Sequence, residues 1–189
     1  QLVEALEVMS DKALAAIELN QAKKYILKAA ALQRKGDLPA STNTLKTAYE
    51  RYPCFDSALA YGRQLAATGA EGEGGRELEA AIELAGSPGE RSTGYLSLAK
   101  AYLGWEDIRR AHQAAEKVLL LQAENKLNNV QESTAASSIL EIPALTVKQR
   151  AEKYLREGDL IRFDELMERH QVEDHQLPFA TEAYELKLL

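Results

Sequence analysis

What this sequence has little of narrows it first. Among its 189 residues there is one cysteine, Cys54, so no internal disulfide can form and no second thiol completes a CxxC redox or zinc element. Cys54 therefore reads as a small buried apolar residue, and its solitude fits a cytoplasmic location while being compatible with a periplasm. Aromatic residues make up only 6%, and proline and glycine number 5 and 11. Strong helix formers, Ala and Leu above all, fill the space they leave, which reads as all-α. Basic residues are not in excess. The 23 Lys and Arg against 29 Asp and Glu give a formal charge of −6, which argues against a broad phosphate-neutralising surface and so against generic nucleic-acid binding. Apolar runs such as residues 118–121 fall far short of the roughly 18 residues that a membrane span needs. The opening stretch carries Glu4, Glu7 and Asp11 inside its apolar periodicity, unlike a signal peptide. It also begins without Met, which leads us to expect a piece of something longer or a processed product.

What is present is helical periodicity. Apolar residues recur at Leu2, Leu6, Met9, Ala13, Ala16 and Ile17, then at Tyr25, Ala29 and Leu32, then at Leu45, Ala48 and Tyr52, and no segment alternates with period two. Breaks fall at Gly36-Asp37, Pro53, Gly69, Gly86-Ser87-Pro88, Glu106-Asp107, Pro143, Gly158-Asp159 and Pro178. Helices of three to four turns joined by such short breaks form antiparallel hairpins, because a short turn forces neighbours to pack.

The chain is also similar to itself. Residues 92–123 align on residues 22–53 without a gap, placing Tyr95 on Tyr25, Ala99 on Ala29, Tyr102 on Leu32, Asp107 on Asp37, Ile108 on Leu38, Ala111 on Ser41 and Val118 on Ala48. Small residues at Ala29, Ser41, Ala99 and Ala111 allow two helices to approach closely. Tyr25, Tyr95 and Tyr102 fill space toward a neighbouring unit, Gly36 supports a tight turn, and Asp37 can cap the helix after it.

On these residues the chain resembles the tetratricopeptide repeat family, whose units run to about 34 residues. Tyr95, Leu98, Ala99, Tyr102, Ala111, Ala115 and Ala123 stand at the family's places in one unit, without its final Pro. Tyr25, Ala29, Leu32, Gly36, Ser41, Leu45, Ala48 and Pro53 do so in another, with Lys28 where Leu is usual. The resemblance implies a right-handed superhelical α-solenoid of antiparallel helix hairpins.

It also sets the expected organisation. Residues 1–21 form a half repeat or N-terminal packing helix, and residues 22–125 hold three helix pairs, at 22–54, 55–91 and 92–125. The middle pair is degenerate: Tyr61, Gly62, Leu65 and Gly69 are in register, but residues 71–75 lengthen the turn, so its second helix is expected at 76–85 with Leu78, Ile82 and Ala85 inward. Residues 126–143 read as a polar linker or frayed helix carrying any domain boundary. Residues 144–189 read as a divergent helix pair, with the bulky Phe163 where a small residue is expected, plus a terminal apolar helix through Phe179, Tyr184, Leu188 and Leu189. Both ends look uncapped, so either more repeats follow, or the apolar tail folds back or pairs with another chain to make a homo-oligomer.

Catalytic and metal chemistry finds little purchase. His170, Glu173, Asp174 and His175 are metal-ligand types, but two His five apart miss the same-face spacing of a zinc helix and read as a solvated loop. His112 reads as a residue at a helix surface or seam. The acidic run Glu71, Glu73, Glu77, Glu79 and Glu83 suits solvated helix-start acids rather than an acid/base pair. Gly72, Gly74 and Gly75 follow no strand and precede no Lys-Ser/Thr pair, so they fail the context of a phosphate loop. No cofactor or metal is expected, and no enzyme activity.

What remains is a surface. In the family, the first helices of the pairs line a concave groove, and the corresponding residues are Lys23, Ile26, Leu27, Ala30 and Arg34, then Leu59, Ala60, Arg63 and Ala67, then Thr93, Leu96, Ser97, Lys100 and Leu103. This set is apolar with a few cations, suited to a peptide or protein partner with apolar anchors and some acids. Family members that clamp the acidic C-termini of heat-shock chaperones use Lys, Asn and Arg on these helices. Ile26 and Ala30 stand where Lys and Asn would be, and Ser97 where Arg would be, which disfavours that activity. Charge is uneven: residues 22–52 carry seven basic residues against Asp37 and Glu50, whereas residues 71–90 carry six Glu against Arg76. The expected function is a non-enzymatic protein–protein interaction module acting as a scaffold or assembly factor. The alternative is the regulatory or substrate-presenting portion of a larger enzyme with its catalytic domain outside this chain.

Overall fold

The computed structural model describes residues 2–142 and 147–169, with side chains described over 13–142 and 149–168. The described residues form helices α1 (Leu2–Arg34), α2 (Leu38–Arg51), α3 (Phe55–Ala67), α4 (Glu71–Leu84), α5 (Pro88–Gly104), α6 (Ile108–Glu124), α7 (Val130–Leu140), α8 (Val147–Glu157) and α9 (Leu160–Arg169), with no strand among them. The all-α expectation is met. The chain divides into two units, Gln1–Ile142 and Pro143–Leu189.

One turn chemistry recurs between helices. The first helix of a pair ends on a residue at positive φ: Gly36 at 81°, Gly69 at 83°, Glu106 at 59° and Gly158 at 72°. In each case the next N–H reaches back to a carbonyl five residues earlier: Asp37 to Leu32 (3.0 Å), Ala70 to Leu65 (3.0 Å), Asp107 to Tyr102 (2.9 Å) and Asp159 to Tyr154 (2.9 Å). This is a Schellman ending, which satisfies carbonyls the helix would leave orphaned. Three of those same residues then start the next helix, since Asp37, Asp107 and Asp159 accept from the N–H of Ala40, Arg110 and Arg162, each at 3.1 Å. One aspartate thus closes one helix and opens another.

Glu106 carries a test. It occupies the position that Gly36, Gly69 and Gly158 hold in the other pairs, and a left-handed backbone crowds its Cβ against the following carbonyl. Glu106→Gly is expected to stabilise the fold by about 0.5–1 kcal/mol, the relief of that crowding exceeding the extra freedom glycine gives the unfolded chain. Urea titration of both proteins measures it, and a lower midpoint for the variant would count against the strain.

In the first unit, successive helices pack on one another from α1 to α7, and α1 touches α3, α3 touches α5 and α5 touches α7. Two clusters carry the core. Phe55, Ala58, Leu59, Leu78, Ala81, Leu98 and Trp105 make one, and Leu96, Ala99, Ala111, Ala114, Ala115, Val118, Ala136 and Ile139 make the other, with Tyr102 packed against both. The aligned small residues lie where helices cross: Ala29, Ser41, Ala99 and Ala111 are all buried, and the Ser41 hydroxyl donates to the Ala29 carbonyl at 3.0 Å.

Several boundaries differ from expectation. No break separates residues 1–21 from the first pair, since α1 runs unbroken from Leu2 to Arg34. It contains no Gly or Pro to end it. Residues 71–75 are the first turns of α4 rather than a longer turn, so this pair has the same short connection as the others. Gly74 and Gly75 are buried there because their lack of a side chain lets α4 lie close to its neighbours. Residues 130–140 form α7, capped by Asn129, whose side chain accepts from the Glu132 N–H at 3.2 Å. α7 packs on α5 and α6, and the division between units falls after Ile142.

The second unit is described over α8 and α9. They pack through Ala151, Tyr154, Phe163, Leu166 and Met167, with Phe163 buried where a small residue was expected. The terminal apolar stretch, the proposed homo-oligomer contact and the His170–His175 cluster lie outside the described residues.

Candidate functional site

The fourteen groove residues divide by exposure. On α1, Lys23, Leu27 and Arg34 are exposed, Leu27 by 70%, with Ile26 and Ala30 half-buried. On α3, Ala67 and Arg63 are exposed and Ala60 is half-buried, but Leu59 belongs to the core. On α5, Lys100 is exposed and Thr93 and Leu103 are half-buried, while Leu96 and Ser97 are buried.

Five of them meet. Arg63, Ala67, Leu96, Ser97 and Lys100 line a cleft of about 740 Å³ among α3, α4 and α5, together with Ala66, Gly69, Glu71, Leu78, Ala101, Gly104 and Trp105. The α1 residues do not line it. Ser97 organises its polar side: its hydroxyl donates to the Thr93 carbonyl at 2.7 Å and accepts from Arg63 Nε at 2.9 Å and Nη2 at 2.7 Å. Arg63 is thus drawn onto α5 by a neutral partner. Partial desolvation there lowers its pKa from the ordinary arginine value, and the Glu132 charge opposes that shift.

Glu132 marks what sequence reasoning missed. It is buried, and its carboxylate accepts from Ser92 Oγ (2.6 Å), Thr93 Oγ1 (2.7 Å) and Gln122 Nε2 (3.0 Å). Gln122 Nε2 also donates to Ser92 Oγ at 3.0 Å. Four side chains from α5, α6 and α7 therefore share one polar core. In the sequence, Glu132 sits in an Asn- and Ser-rich stretch; its only local signal is the Asn129 cap three residues before it.

The other candidates take structural roles. Gly72, Gly74 and Gly75 are helical and form no loop. The acidic run lies along α4, where burial first, then the charges of Glu77 and Glu83, raise the Tyr49 pKa. Cys54 is half-buried at the start of α3, its N–H donating to Ser57 Oγ at 3.1 Å, rather than lying in the core. His112 is half-buried with its Nε2 enclosed and without a hydrogen-bond partner among the described residues. No group of three or more His, Cys, Asp or Glu able to hold a metal occurs among the described residues. No helix among them is long and apolar enough to cross a membrane.

These features define an all-helical protein of successively packed hairpins with an open, partly cationic cleft. Neither a family model nor a curated protein matches the chain.

Proposed function

We propose that this chain is a non-enzymatic protein-interaction module of tetratricopeptide type, which holds a partner peptide or protein against the first helices of its pairs and serves as a scaffold or assembly factor. The observation that supports this reading most is the cleft, where five residues placed in a groove by the resemblance meet around Ser97. The burial shared by aligned positions, Ala29 with Ala99 and Ser41 with Ala111, also supports it. An apolar wall with a few polar side chains of fixed orientation is the usual make-up of a recognition surface.

Leu96 is unsuited to testing this surface, because it is packed in the core and a charge there would unfold the protein. Leu27 and Ala67 are exposed, so a Leu27→Glu/Ala67→Gln double variant should keep its far-UV helicity. Partners that the wild type retains from native extract should fall at least about tenfold with the variant, equivalent to roughly 1.4 kcal/mol. Equal retention by a folded variant would overturn the groove.

A further inference from the structure

The cleft is lined by two cations, Arg63 and Lys100, and one carboxylate, Glu71, which leaves one positive charge in excess. Neither cation forms an ion pair with a carboxylate among the described residues. Arg63 spends Nε and Nη2 on the Ser97 hydroxyl, a neutral acceptor, and no group among the described residues takes a hydrogen bond from its Nη1. The carboxylate that acts on it through space, Glu132, has its oxygens committed to Ser92, Thr93 and Gln122. Lys100 lies one helical turn beyond Ser97 on the same face of α5. Two cations thus flank one serine, with Leu96, Ala101 and Trp105 as the apolar wall beside them.

We propose that this cleft takes an aspartate or glutamate side chain of a bound peptide, its carboxylate set between Arg63 and Lys100 and a neighbouring apolar side chain against Leu96, Ala101 and Trp105. The inference rests on the groove reading and names the chemistry of its partner. Arginine's free donors match a carboxylate in geometry as well as charge, while lysine adds a mobile point charge. A side-chain carboxylate is favoured over a chain terminus because terminal carboxylates are captured by free backbone N–H groups. Here the turn offers none: the N–H groups of Thr68, Gly69, Ala70 and Glu71 are all bonded to carbonyls within the turn and the end of α3.

Trp105, the chain's single tryptophan, lines the cleft and reports on it directly. The probes are the acetylated, amidated pentapeptide Ala-Leu-Glu-Leu-Ala, its Gln analogue, and the Gln analogue with a free carboxyl terminus. The Glu peptide should change Trp105 fluorescence saturably at low salt, bind at least about fivefold more tightly than the amidated Gln peptide, and weaken as salt screens the charges. Arg63→Gln and Lys100→Gln should each remove most of that preference while leaving the Gln peptide unaffected.

Equal binding of the Glu and amidated Gln peptides would overturn the proposal, as would preference for the free terminus or no saturable response to any peptide. The Leu27→Glu/Ala67→Gln capture adds no charge to the cleft and alters neither cation. If it succeeds while the peptides show no charge preference, the groove stands and the acidic anchor falls; if capture is unaffected, the groove reading itself fails.

Discussion

Gly74→Ala should destabilise the protein by about 1–3 kcal/mol, whereas Gly72→Ala, two residues earlier on the same helix, should stabilise it by about 0.5–1 kcal/mol. The propensity gain is the same at both places, because alanine loses less backbone freedom than glycine on entering a helix. Packing separates them. A Cβ on Gly72 meets nothing within 4 Å, but one on Gly74 would stand 2.8 Å from the backbone nitrogen of Ala66 and 3.1 Å from its Cα. Backbone cannot rotate aside as a side chain can, so α3 and α4 would have to separate, losing contacts along the crossing.

Gly62 behaves as the partner of Gly74. A Cβ there would lie 2.9 Å from the Leu78 nitrogen, and Leu78 is fully buried. Gly62→Ala should therefore match Gly74→Ala in sign and size. Gly94 differs in kind, since its added Cβ would meet the Ile82 Cγ1 at 2.6 Å, a side-chain atom that can shift. Thermal or urea unfolding of the four alanine variants ranks them, and a stabilised Gly74→Ala would refute the close crossing.

Loss of the buried carboxylate is the second large effect. Glu132→Ala should cost about 2–3 kcal/mol, because hydrogen bonds to a charged acceptor are worth more than neutral ones and their donors remain buried without it. The donors do not lose equally. Thr93 Oγ1 has the Gly89 carbonyl at 3.1 Å as an alternative, whereas the Ser92 hydroxyl is fully buried and has no other acceptor among the described residues. Glu132→Gln keeps the shape and one acceptor oxygen, so its cost should be about half.

The location of the damage is as diagnostic as its size. Glu132 ties α7 to α5 and α6, so amide exchange in the Ala variant should rise first in α7 while α3 and α4 keep their protection. Uniform loss of protection across the first unit would show that Glu132 does not act locally.

How much of this was legible in the sequence depends on the range of the interaction. The turns were: Gly36-Asp37, Glu106-Asp107 and Gly158-Asp159 mark helix ends because a positive φ and an aspartate cap are local requirements. The aligned small residues were legible as well, because the same crossing needs the same volume each time it occurs. Residues 71–75 were misread. Three glycines within five residues look like a loop by propensity, but at this crossing Gly74 is small because another backbone occupies the space.

The same difference of range explains the site. Arg63 and Lys100 were both placed in the groove by position within their repeats. The attachment of Arg63 to Ser97 and the meeting of both cations at one cleft depend on which helices pack together, and no local pattern encodes that. Glu132 was hidden for a related reason: its three partners stand 40, 39 and 10 residues away. A carboxylate in a polar stretch reads as solvated until the helices that enclose it are known.

The doubled role of Asp37, Asp107 and Asp159 bears on how the chain assembles. Because one residue finishes a helix and begins the next, each hairpin is specified by bonds spanning only a few positions, and the loop closed in forming it is short. Ala29 and Ser41, which meet across the first crossing, are only 12 residues apart. A chain made from its N-terminus can therefore close its first hairpin before the second exists, each finished pair offering a surface on which the next condenses. The Glu132 contact, reaching back 40 residues to Ser92, can form only after α5 and α6 are in place, so its burial is a late event that locks the end of the first unit.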